Sequence, residues 1–164
     1  MKTIYVYPGT FCPPHYGHIA VAKEAAEVFG SVTVICSVNP VKEGKMPFTP
    51  EKCKEMWLSY DLGKNIDVVT FDEFFKTCDT KTTRIMVRGI RNDNDIKFEN
   101  SVILDNYKKL GIRHYHYILS KPAFMGMSST KARIAAKAGD LTELEKLVNA
   151  DVAAKLAERM RPEI

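Results

Sequence analysis

A chain of 164 residues, 45% hydrophobic and 27% charged, is long enough to bury one core and is expected to form a single domain over residues 1–164. Its formal charge of +4 is too small to ask for a nucleic-acid partner, and its sequence holds no apolar run approaching a membrane span. Cys12, Cys36, Cys53 and Cys78 lack paired spacing, so they read as reduced thiols of a cytoplasmic protein, and the short apolar start, stopped by Pro8-Gly9, is too brief for a leader.

The chain opens with a strand around Tyr5-Val6-Tyr7, a tight loop from Pro8 to His18, and a helix from Ile19 to Phe29. Ile19, Ala22, Ala26 and Phe29 make one apolar stripe, widened by Val21, Ala25 and Val28, while Lys23, Glu24 and Glu27 turn to water. A loop that carries a buried strand into a helix start presents free N–H groups and the positive end of the helix dipole to an anion. Gly9 and Gly17 are expected to let backbone approach a ligand.

Three chemistries compete for this loop. His15 and His18 can be partly buried caps; Cys12, His15 and His18, evenly spaced, can offer three ligands to zinc; or the His18 imidazole can face the phosphates of a nucleotide held over the helix end. Pro13-Pro14 stiffens the chain between Cys12 and His15, and no carboxylate lies nearby in sequence to orient a ligand histidine, which weighs against zinc.

A β-branched strand spans Ser31 to Val38 and ends at an Asn39-Pro40 turn; the segment Val41 to Pro47, with Lys42, Gly44 and Lys45, has no period and reads as a loop. Thr49-Pro50 signals a helix N-terminus, with Met56, Trp57 and Tyr60 on its buried side. A third strand covers Ile66 to Phe71, followed by a short helix in which Phe74 and Phe75 pack in the core or wall a pocket. Arg84 to Val87 form a fourth strand that runs into Arg88-Gly89-Ile90-Arg91, whose two arginines make a fork suited to phosphate oxygens.

A long helix runs from about Asp93 to Leu110 and is closed by Gly111; His114 to Leu119 form the fifth strand. Met127-Ser128-Ser129-Thr130 opens the next helix, where one hydroxyl caps and the free N–H groups offer a second anion site. Two helices, Leu141 to Val148 and Val152 to Met160, close the chain. The alternation specifies an α/β fold: a Rossmann-like, doubly wound, five-stranded parallel sheet with C-terminal helices. In it, Thr10, Lys42, Arg88 and Arg91 all fall at the carboxyl ends of strands and converge on one pocket.

Pro8-Gly9-Thr10-Phe11, His15-Tyr16-Gly17-His18 and Met127-Ser128-Ser129-Thr130 together resemble the nucleotidyltransferase superfamily. Arg88-Gly89-Ile90-Arg91, followed by Asp95 and Glu99, is similar more narrowly to the bacterial phosphopantetheine adenylyltransferases. The resemblance implies transfer of the adenylyl group of ATP to 4'-phosphopantetheine, with His18 stabilising charge on the α-phosphate and Thr10 and Lys42 holding the attacking phosphate. It implies that Arg88 binds the acceptor, that Arg91 and Ser128, Ser129 and Thr130 take the β- and γ-phosphates, and that Glu99 fixes the nucleotide. Phe11, Gly17, Gly89 and Ile90 complete the ATP site by the same resemblance, Phe124, Met125, Gly126 and Met127 line the adenine, and Phe75 and Asn106 face the pantetheine arm. Magnesium carried with ATP, no metal held by protein side chains, a homohexamer, and feedback binding of coenzyme A are likewise implied.

The chain departs from that family at Cys12, where an Asp is usual, at His15, where a Thr is usual, at Asp105 and Gly126, and in a longer loop from Lys42 to Phe48. These departures keep two alternatives open: nucleotidyl transfer to another phosphorylated acceptor, such as nicotinamide mononucleotide or glycerol phosphate, and a nucleotide-binding domain without turnover.

Overall fold

The structure is a computed structural model describing residues 2–38, 42, 44–77 and 79–163. Cys78, the Asn39-Pro40 turn, and Val41 and Glu43 of the loop expected after it lie outside the described residues. Five parallel strands, β1 (Thr3–Gly9), β2 (Val32–Cys36), β3 (Ile66–Thr70), β4 (Thr83–Ile90) and β5 (His114–Leu119), form one sheet in the order β3-β2-β1-β4-β5. Among the described residues seven α-helices accompany it: α1 (Tyr16–Phe29), α2 (Pro50–Leu58), α3 (Phe71–Thr77), α4 (Asp93–Leu110), α5 (Ser129–Ala138), α6 (Leu141–Leu147) and α7 (Ala150–Arg159).

Both faces of the sheet are covered, so neighbouring strand residues alternate between two cores. Tyr7, Val34, Cys36 and Val87 pack with α1, α2 and the C-terminal helices, while Val6, Ile35 and Met86 pack with Phe74, Leu110 and Ile112 on the other face. Burying these large side chains contributes about 1.5–3 kcal/mol each. Val28, counted into the α1 stripe from sequence, is instead exposed.

The order of the strands reverses between β1 and β4, which is where an open parallel sheet leaves a crevice beyond its carboxyl ends. β4 is longer than its sequence suggests. It pairs with β1 only through Val6↔Met86, but with β5 through Ile90↔Leu119, and that second ladder carries Arg88, Gly89 and Ile90 into the strand. Arg88 is therefore held on a strand rather than on a loop. α1 likewise begins at Tyr16, earlier than Ile19, because His15 caps it.

Candidate active site

A cavity of about 880 Å³ opens over the β1/β4 crevice. Its wall includes Thr10, Phe11, Gly17, His18, Lys42, Arg88, Gly89, Arg91, Glu99, Asn106, Phe124, Met127, Ser128, Ser129 and Thr130, all singled out from sequence. Ile90, Met125, Gly126 and Phe75 do not line it. On α3, Phe74 enters the core, which turns Phe75 outward to 64% exposure, and the wall residues from that helix are Phe71 and Asp72. The cavity runs on between α3 and α4 past Phe98, Val102, Asp105 and Asn106.

The two histidines of the opening loop form one unit. The Gly17 N–H donates to His15 Nδ1 at 3.0 Å, the His15 N–H donates to His18 Nδ1 at 3.2 Å, and the rings lie 3.7 Å apart. Both amides satisfy donors that a helix start leaves open. An Nδ1 that accepts leaves the proton on Nε2, so each neutral imidazole keeps one N–H to donate. Burial holds His15 down to about 3, helped by the Arg91 charge. Burial, the His15 ring, Arg88 and Arg91 in turn hold His18 well below its ordinary value. Both imidazoles line the cavity and are neutral at neutral pH.

The glycines of this loop make room for the protein itself. A Cβ on Gly9 would stand 2.7 Å from the Phe11 ring, and one on Gly17 would stand 2.8 Å from the His15 imidazole. Both glycines also line the cavity. Phe11 adopts φ 47, a left-handed conformation that costs a side-chain-bearing residue about 1–3 kcal/mol and is held here by the rings of Tyr7, His18 and Trp57.

Both arginines of the fork are anchored. Arg88 donates from Nε to Glu99 at 2.8 Å and from Nη1 to the Pro8 carbonyl, while Glu99 is only 3% exposed. Glu99 therefore engages Arg88 directly. Arg91 donates from Nε and Nη2 to Asp95 at 3.1 and 3.2 Å and from Nη1 to the Met127 carbonyl at 2.9 Å. Burial would raise the Asp95 carboxyl, but the Arg91 hydrogen bonds and charge outweigh it and hold it low. N–H groups remain over on the terminal nitrogens of each guanidinium, which are fixed in direction before any ligand arrives.

The hydroxyls at the start of α5 are mostly engaged. Ser128 Oγ accepts from Lys131 N at 3.0 Å as the helix cap, Ser129 Oγ donates to the Pro13 carbonyl at 2.7 Å, and Thr130 Oγ1 accepts from Arg133 at 3.2 Å. What the turn offers an anion is its first-turn N–H groups and the Thr130 hydroxyl proton. Arg133 was not foreseen from sequence. It lines the cavity and donates to the Cys12 carbonyl at 2.6 Å, so it and Ser129 tie α5 to the loop after β1. A third cation one helical turn beyond Ser129 was the available signal.

Among the described residues no three His, Cys, Asp or Glu side chains converge on a metal position. Cys12, His15 and His18 do not form the zinc site their spacing allows: both Nδ1 atoms are taken by amides, and the Cys12 thiol donates to the Phe48 carbonyl at 3.7 Å. Among the same residues no helix is long and apolar enough to cross a membrane.

The family model described as cytidylyltransferase-like matches residues 6–135. Phosphopantetheine adenylyltransferase of Aquifex aeolicus is 33% identical over 161 residues, covering 94% of each chain, and that of Carboxydothermus hydrogenoformans is 30% identical over 162 residues, covering 98% of each. Among solved structures, a putative nicotinate-nucleotide adenylyltransferase from Vibrio parahaemolyticus shares the fold with a TM-score of 0.63 at 19% identity, over 99% of this chain and 98% of that one. The chain belongs to the cytidylyltransferase-like nucleotidyltransferases and, within them, to the phosphopantetheine adenylyltransferase family.

Proposed function

We propose that this chain transfers the adenylyl group of ATP to 4'-phosphopantetheine, forming dephospho-coenzyme A and pyrophosphate as a step of coenzyme A biosynthesis. The observation that carries this reading is one cavity in which two neutral histidines, two pre-aimed guanidinium groups and the N-terminus of α5 share a wall, with a groove of mixed character leading away from them between α3 and α4. Similarity to the curated relatives supports the choice of acceptor.

An oxygen of the acceptor phosphate attacks the α-phosphorus of ATP, the bond to the bridging oxygen breaks, and pyrophosphate leaves. No protein nucleophile takes part, so catalysis comes from alignment and from charge stabilisation. His18 donates from Nε2 to the α-phosphate as negative charge grows there. Thr10 and Lys42 hold the attacking phosphate. Arg88 binds the acceptor and Glu99 positions Arg88; Arg91 and the first-turn N–H groups of α5 receive the β- and γ-phosphates. Phe124 and Met127 bound the adenine, and Phe71 and Asn106 bound the pantetheine arm.

Magnesium fits this site as a companion of the nucleotide, held by its phosphates and by water, since Asp95 and Glu99 are committed to arginines. It supplies charge neutralisation to the leaving pyrophosphate. Exposed Phe98, Leu104 and Tyr107 on α4 support a homo-oligomer, taken as the hexamer. The unbridged thiols of Cys12, Cys36 and Cys53 support a cytoplasmic location.

The test is pyrophosphate release from ATP or CTP across a panel of phosphorylated acceptors. Turnover with ATP and phosphopantetheine is expected. Turnover only with another acceptor moves the assignment to that acceptor, and none with any acceptor leaves a binding domain.

A further inference from the structure

Pro13 and Pro14 bring no N–H groups to the loop after β1, so that stretch cannot fix its own backbone, and partners for its carbonyls come from distant segments. The Cys12 carbonyl accepts from Arg133 Nη1 at 2.6 Å, the Pro13 carbonyl from the Ser129 hydroxyl at 2.7 Å, and the Pro14 carbonyl from the Tyr60 hydroxyl at 2.8 Å. Arg133 and Ser129 stand on α5. Tyr60 follows the end of α2 and stands outside the cavity wall.

The Pro14 carbonyl differs from the other two in what lies at its far end, because that C=O and the His15 N–H belong to one planar peptide unit. The His15 N–H donates to His18 Nδ1 at 3.2 Å. A hydroxyl that holds the oxygen end of the plane also fixes the direction of the N–H at the other end. That N–H sets the orientation of the His18 ring and leaves its proton on Nε2.

We propose that Tyr60 is the positioning residue of His18: its hydroxyl, acting through the Pro14–His15 peptide plane, orients the imidazole and keeps it in the Nε2–H form. The effect on rate rests on the reaction proposed above, whereas the state of the ring follows from the hydrogen bonds alone.

The surroundings of Tyr60 commit its proton to that carbonyl. The side chain is 8% exposed, its ring meets Tyr16 edge-on with centroids 5.7 Å apart, and its oxygen accepts from the Asn149 N–H at 3.4 Å. With that lone pair occupied, the hydroxyl donates to Pro14. Burial pushes the phenol well above its ordinary value, so it remains a donor at any working pH. Asn149 caps α7 and donates from Nδ2 to Ser59 Oγ at 3.0 Å, which braces the residue before Tyr60. The start of the last helix is thereby coupled to His18 through one side chain.

The experiment compares full-length wild type, Tyr60→Phe, His18→Ala and the double variant, with pyrophosphate release from ATP and phosphopantetheine as the rate and long-range proton–nitrogen imidazole spectra as the tautomer readout. Wild-type His18 is expected with its proton on Nε2. Tyr60→Phe keeps the ring and is expected to lower kcat roughly ten-fold at unchanged KM for both substrates, and to mix the His18 tautomers. In the His18→Ala background the same substitution is expected to change the rate by less than about twofold, since a residue that acts through His18 then has nothing to position. A tyrosine with a purely structural role would lower the unfolding midpoint and leave kcat and the spectrum as they were. Unchanged kcat or an unchanged tautomer in Tyr60→Phe, or a full additive loss in the double variant, overturns the proposal. The wild-type spectrum covers the case that Tyr60→Phe fails to fold, because a His18 proton on Nδ1 overturns the proposal by itself. If no protein turns over, the proposed reaction falls, and the tautomer, read without substrate, decides the role of Tyr60 alone.

Discussion

The His15 and His18 rings lie with centroids 3.7 Å apart, tilted by 30°, and each accepts a backbone N–H through Nδ1. The close pair is stable only while neutral. At pH above the ordinary histidine value of 6.5 neither folded nor unfolded chain is protonated, so the pair contributes no pH dependence there. As pH falls below 6.5 the unfolded chain gains protons that the folded His15, held at about 3, refuses until that value is reached.

Stability should thus fall with acidification between pH 6.5 and about 3, by about 1.4 kcal/mol per pH unit for each histidine once its unfolded form is fully protonated. His15→Asn keeps an N-cap acceptor and removes one titration, so the slope should fall by about half. Urea unfolding at a series of pH values measures it; an unchanged slope would place the acid sensitivity elsewhere.

His18→Ala should preserve the fold and reduce turnover by on the order of a hundred-fold or more, because its Nε2–H is assigned to charge that exists only in the transition state. The single Trp57, packed 6.4 Å from the His18 ring and 5.0 Å from Phe11, reports the fold by its fluorescence. Wild-type rates with a native emission spectrum would remove His18 from the mechanism.

Arg88→Lys keeps a positive charge but loses the fork that reaches Glu99 and the Pro8 carbonyl together. The acceptor's apparent KM should rise before kcat changes. Arg88→Ala strands a carboxylate that is 3% exposed and should cost about 3 kcal/mol of stability, relieved in part by adding Glu99→Gln. A kcat loss at unchanged acceptor KM in the Lys variant would assign Arg88 to the transition state instead.

Arg133→Ala removes the donor to Cys12 and Thr130 and should lower turnover roughly ten- to a hundred-fold through misplacement of the loop. Arg133→Lys should recover part of it. Equal losses in both variants would show that the planar guanidinium geometry, rather than the charge, is what the loop needs.

Gly17→Ala sets a methyl 2.8 Å from the His15 imidazole and should destabilise the protein by about 1–3 kcal/mol while also lowering turnover. Adding His15→Asn, which removes the ring but keeps a cap acceptor, should restore most of the stability without restoring the rate. Continued instability in the double variant would locate the strain outside the ring contact.

The sequence alone determined the elements and their order, because period and caps are local properties of the chain. Thr49, Ser128, Gly111 and Gly139 act as the caps their residue types announce, and the β-branched run through Val34 and Ile35 is buried as its composition requires. Alternating strands and helices also implied that Thr10, Lys42, Arg88 and Arg91 gather at one edge, since a parallel sheet puts every strand's carboxyl end on the same side.

Only tertiary structure decided which donors are free. Ser129 spends its hydroxyl on Pro13 and Glu99 spends its carboxylate on Arg88, partners 116 and 11 residues away whose proximity no local pattern encodes. Phe71 rather than Phe75 reaches the cavity because the core claims Phe74 and so fixes the rotation of α3. Arg133 and the extension of β4 through Ile90 belong to the same class. Each depends on how distant segments share space, and hydrogen bonds and packing are settled there rather than along the chain.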